Sequence, residues 1–74
     1  MKNQVLEVLK RVNESIVDGV NLIEENIIDS FEVVNIVMEL EEEFDIEIDA
    51  EEVVSENFET VDAITALVKK CQGN

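Results

Sequence analysis

Three stretches of this chain repeat apolar residues every three or four positions, the spacing of one face of an α-helix. In the first, Val5, Leu9, Val12 and Ile16 recur, with Leu6 and Val8 widening the stripe; a helix over about residues 3–13 is expected. In the second, at roughly 100° per residue, Val33, Val37, Leu40 and Phe44 share one face. Glu32, Asn35, Glu39, Glu42 and Glu43 share the opposite face, and Phe31, Val34 and Met38 lie along one flank. This pattern predicts a helix over about residues 30–44, with an apolar arc wider than a bundle helix needs. The third stripe is Val61, Ile64, Leu67 and Val68, in a helix over about residues 61–71.

The punctuation between stripes agrees with this reading. Proline is absent, and glycine occurs only at Gly19 and Gly73. Asp18-Gly19 is a turn signal. The connection from about residue 18 to 28 is long and contains Val20, Leu22, Ile23, Ile27 and Ile28, so it is expected to pack onto the core; connections of that length are often functional. Asp29, with Glu32 three positions later, has the form of a capping box at the start of the second helix. Ile46 and Ile48 alternate with acids in a short extended link. Asp49 with Glu52 repeats the capping pattern and predicts a short helix over about residues 50–55. Thr60 is placed to cap the last helix, whose final turn carries Lys69 and Lys70, cations suited to the helix dipole. The expected fold is all-α, one domain over residues 1–74, with three main helices and one short helix in a small bundle.

Size and charge narrow the function. A chain of 74 residues buries only about 60% of its unfolded surface, which leaves a thin core and little room for an enclosed active site. Its hydrophobic content of 46% is nonetheless that of a folding chain. The formal charge is 5 − 19 = −14, and no Lys or Arg occurs between residues 12 and 68. Such a surface repels nucleic acid and anionic lipid and attracts basic protein surfaces. No apolar run approaches the roughly 18 residues of a membrane span, and nothing resembles a signal peptide. A monomeric, cytoplasmic protein is expected. The single cysteine, Cys71, excludes a disulfide within the chain.

Catalysis finds little support. There is no His to serve as a base or ligand, and the carboxylates fall on solvated helix faces. Asp45, Glu47, Asp49, Glu51 and Glu56 stand at positions 1, 3, 5, 7 and 12 of a calcium-loop window. However, Ala50 occupies the position where the turn needs Gly, and a helix start falls inside the window. No metal site is assigned. Ser30 lies one position after the cap of the best helix, at the end of the long connection. The helix N-terminus there would tolerate an attached anion. Spacing alone favours a plain helix-start serine.

The segment Ile27-Ile28-Asp29-Ser30-Phe31-Glu32-Val33-Val34 resembles the attachment motif of acyl carrier proteins, usually Asp-Ser-Leu. Met38-Glu39-Leu40-Glu41-Glu42-Glu43-Phe44-Asp45-Ile46-Glu47-Ile48 resembles the second half of that family's second helix and its exit. Glu56-Asn57-Phe58-Glu59-Thr60-Val61 is similar to the approach to its last helix. The resemblance covers nearly the whole chain. It implies an acyl-carrier-like bundle, which is not itself an enzyme. It also implies that a phosphopantetheinyl transferase moves 4′-phosphopantetheine from coenzyme A onto Ser30, beside Asp29. The arm would carry acyl groups as thioesters to biosynthetic enzymes, such as those of fatty-acid synthesis. Loading and transfer partners with basic docking surfaces would meet Glu32, Glu41 and Glu42, with Phe31, Val34 and Met38 as apolar contacts. Phe31 stands where Leu is commoner, Asn35 where fatty-acid carriers usually have an acid, Asp49 where many have Pro, and Asn26 where many have Gly. The wording Ile-Ile-Asp-Ser-Phe also resembles carriers of aminoacyl groups, including D-alanyl and peptidyl carriers, which adenylating ligases load.

Overall fold

The computed structural model describes residues 1–73. Helix α1 is Lys2–Val12, α2 is Ser30–Phe44, α3 is the single turn Ser55–Phe58, and α4 is Val61–Gly73. No strand occurs among the described residues, so the all-α expectation holds. Helix α1 packs on both α2 and α4, and α3 packs on α4. The shared core holds Val5, Val8 and Leu9 of α1, Ile36 and Leu40 of α2, Phe58 of α3, and Val61, Ile64, Leu67 and Val68 of α4.

Helix α1 ends at Val12, because Asn13 turns to an extended backbone (φ −152°, ψ 109°). Ile16 belongs to the periodic stripe but lies beyond the helix. The turn Ile16 N–H to Asn13 C=O returns it to the core, where it is fully buried. The long connection packs down as its apolar content requires. Leu22 and Ile28 are buried. Each such side chain stabilises the docked loop by about 1.5–3 kcal/mol.

The α2 face is rotated from the sequence reading. Ile36 and Leu40 are its buried pair, whereas Val33, Val37 and Phe44 are half-buried. Periodicity placed the stripe to within one helical position. The neighbouring helices chose its centre. The helix ends at Asp45, which adopts the left-handed conformation (φ 54°, ψ 52°) and donates its N–H to the Glu41 carbonyl. Asp tolerates this conformation better than most residues do.

The short helix expected over residues 50–55 is not formed as such. A 3-10 turn, Ala50–Glu52, is followed by an irregular Val53-Val54 step and then by α3. Two adjacent β-branched residues are poor helix formers. Val54 is extended (φ −127°, ψ 154°), and the Asp49 side chain makes no capping bond. Thr60 does cap α4 as expected, its hydroxyl oxygen accepting the Ala63 N–H at 3.0 Å. The ammonium of Lys2 joins three segments, 2.7 Å from Asp18 and 2.9 Å from Asp62.

Candidate functional site

Ser30 is the first residue of α2 and is exposed. Asp29, extended (φ −118°, ψ −177°), accepts the Glu32 N–H on its side chain at 2.9 Å. Half of the expected capping box is therefore present. The other half is not: the Glu32 carboxylate accepts the Asn13 side-chain amide at 3.1 Å on both oxygens. The same Asn13 amide donates to the Ile27 carbonyl at 2.8 Å. Asn13 thus joins the end of α1 to both sides of the Ser30 position.

The connection is itself a small hydrogen-bonded unit. The Asn21 side-chain oxygen accepts the N–H groups of Ile23 and Glu24. The Leu22 carbonyl accepts those of Ile27 and Ile28, and the Leu22 N–H donates to the Glu59 carbonyl. Asn26 stands in the left-handed region (φ 57°), the conformation its residue type tolerates. These bonds, with buried Ile28, fix the chain three residues before α2 begins. Ser30 therefore projects from a hydrogen-bonded support although its side chain meets solvent.

Beside Ser30 lies a cleft of about 390 Å³. Ile23 and Ile28 of the connection form one side, Val33 and Val34 of α2 the second, and Val53, Val54 and Ser55 the third; Asp29 and Ser30 stand at its edge. Its surface is predominantly apolar. Periodicity did not reveal it, because its walls come from three segments distant in sequence. The half-exposure of Val33 follows from this position.

The remaining candidate residues divide by environment. Phe31 is 79% exposed, Met38 59% and Val34 51%. They form an apolar flank on α2 that no helix of the bundle covers. Glu42 is exposed beside them. Glu41 is half-buried, and its carboxylate accepts the Ile48 N–H at 2.9 Å. Glu41 and Glu32 are thus engaged within the fold, whereas Glu42 is presented outward. Among the described residues, no three Asp, Glu, Cys or His side chains converge as a metal site, the calcium-like window included. No described helix is long and apolar enough to cross a membrane.

The arrangement supplies an exposed hydroxyl at a helix N-terminus, a neighbouring apolar cleft and an apolar flank with an outward acid. The chain has no His to pair with Ser30, and the neighbouring Asp29 carboxylate accepts the Glu32 N–H. An exposed hydroxyl in this setting is open to modification by another protein. In comparisons with known proteins, the sequence model of the family described as the phosphopantetheine attachment site matches residues 1–68. No curated protein and no solved structure matches the chain.

Proposed function

Because the chain belongs to the phosphopantetheine attachment family, and domains of that family carry a covalent 4′-phosphopantetheine, we propose that Ser30 is the attachment residue and that the protein acts as a monomeric acyl carrier of the cytoplasm. The observation that carries this reading is the position of Ser30: exposed, first in α2 and at the edge of the apolar cleft. A phosphodiester on its oxygen benefits from the positive end of the helix dipole. Asp29 opposes that charge but directs its carboxylate to the Glu32 N–H.

Family carriers meet a phosphopantetheinyl transferase and then partner enzymes. On this chain the docking surface is assigned to Phe31, Val34, Met38 and Glu42, the members of the predicted set that face solvent. Glu32 and Glu41 contribute to its field while holding internal bonds. The cleft beside Ser30 suits an apolar portion of the cargo, which supports acyl groups of fatty-acid or related synthesis. The chain supplies position and presentation, and its partners supply the chemistry.

The decisive experiment is intact-mass measurement after incubation with coenzyme A, magnesium and a broad-specificity phosphopantetheinyl transferase. The expected result is a gain of one phosphopantetheine that is absent in Ser30→Ala. No gain, or a gain that persists in Ser30→Ala, refutes the assignment. A second reading, an aminoacyl carrier, is favoured by exposed Phe31 and by exposed Asn35 in place of an acid. Loading of the holo protein by an amino-acid adenylating ligase, and not by an acyl-carrier synthetase or a malonyl transferase, selects it. In either case loading is expected to slow as ionic strength rises, because the −14 charge steers basic partners.

A further inference from the structure

One wall of the cleft has no fully buried side chain of its own; half-buried Val53 packs against the core, and α3 packs on α4. Between Ile48 and Phe58, both buried, no residue is buried. The segment between them includes Val53, Val54 and Ser55, which face the cleft. Its backbone bonds are local: Val53 N–H to the Ala50 carbonyl, Val54 N–H to the Glu52 carbonyl, and Asn57 N–H to the Val54 carbonyl. One ion pair ties the middle of this span to another element. Lys70 of α4 places its ammonium 2.7 Å from Glu52 Oε2. The Asn57 side-chain amide donates to the Glu52 carbonyl at 2.7 Å and to its Oε1 at 3.3 Å, so the carboxylate is held on both sides.

We propose that Lys70, Glu52 and Asn57 form a latch that positions the movable wall of the cleft beside Ser30. With the latch closed, the wall stays against α4 and the cleft keeps its width. With it broken, the span between Ile48 and Phe58 swings as a strap hinged at its two buried ends. Lys70 and Glu52 are positioning residues, and both lie outside the docking flank. The consequence for cargo, easier passage of an apolar chain into and out of the cleft, rests on the carrier reading. The latch itself does not. The Glu52 carboxyl lies below its ordinary pKa, chiefly through Lys70, and Lys70 lies above its own through Glu52. Both directions agree with an engaged pair.

Amide hydrogen exchange by NMR on the unmodified full chain tests the latch independently of any arm. In Lys70→Met, the amides of Val53, Val54 and Asn57 should lose protection by about two- to fivefold, the scale of one exposed ion pair. The core amides of Leu9 and Leu40 should hold theirs. Glu52→Gln should reproduce the loss, and the double variant should add little to it. Lys69→Met is the charge-matched control, because Lys69 is exposed and has no ion pair among the described residues. It should leave the wall unchanged. Unchanged wall protection in Lys70→Met, an equal loss in Lys69→Met, or a loss shared by the core amides overturns the proposal. Failure of Ser30 to accept an arm would refute the carrier reading and leave these exchange results standing.

Discussion

Replacing Asn13 with Ala should destabilise this protein more than its half-buried surface position suggests. The amide group donates to the Ile27 carbonyl at 2.8 Å and to the Glu32 carboxylate at 3.1 Å, and its oxygen accepts the Ser15 N–H at 2.9 Å. Two neutral bonds contribute about 0.5–1.5 kcal/mol each, and the bond to a carboxylate about 1.5–3 kcal/mol. Water can reach a half-buried site and replace part of this, which sets the expectation near the lower end, about 2–3 kcal/mol. A domain of this size has roughly 4–11 kcal/mol of total stability, so the loss is a large fraction. The melting temperature should fall by about 10–20 °C. Urea unfolding followed by far-UV circular dichroism is the suitable assay, since the chain has neither Trp nor Tyr for fluorescence. Asn13→Asp is the informative companion. It keeps the shape and the acceptor for Ser15 but sets a carboxylate against Glu32, so it should lose at least as much as Ala. A loss below about 1 kcal/mol in Asn13→Ala, or a rescue by Asp, would refute the assignment of the stability to the amide donor.

The other expectations are contrasts of the same kind. Phe58→Ala should cost about 3–5 kcal/mol through a core cavity, whereas exposed Phe31→Ala should stay within about 0.5 kcal/mol; comparable losses in urea would contradict the assigned packing. Asp29→Ala should cost about 1 kcal/mol through loss of the α2 cap, with Asp29→Asn restoring most of it, and an Asn variant no better than Ala would remove the capping account. Glu52 has a depressed carboxyl pKa, first through Lys70, so its contribution is present above its unfolded value and is lost as pH falls through the lower folded value. The stability difference between wild type and Glu52→Gln should therefore be constant above roughly pH 4.3 and shrink below it, and a difference that grows on acidification would reverse the sign. Magnesium should raise the melting temperature at low salt by relieving self-repulsion of the −14 surface. An unchanged transition would show that this repulsion does not limit stability.

Local order along the chain was enough to place the three main helices. The stripes in α1, α2 and α4 were legible because the 3.6-residue period of a helix writes its buried face directly into the order of side chains. The caps at Asp29 and Thr60 were legible because a capping bond spans only three residues. Ser30 was legible as a helix-start residue, and as an attachment residue only through the family motif around it. The capping pattern of Asp49 with Glu52 predicts one short helix, but Val53-Val54, adjacent β-branched residues, interrupt the segment.

Tertiary structure decided everything that depends on meeting across the chain. It turned Glu32 toward Asn13 and bound Glu41 to the Ile48 N–H, leaving Glu42 as the outward acid of the predicted set. It set the centre of the α2 face at Ile36 and Leu40, because α1 and α4 cover that side. It built the cleft beside Ser30 from three separate segments and paired Lys70 of α4 with Glu52, next to Val53 of its wall. Helical period and capping are local properties, fixed within a few residues. The use of a carboxylate or the width of a cleft depends on which distant backbone the bundle brings within hydrogen-bonding reach.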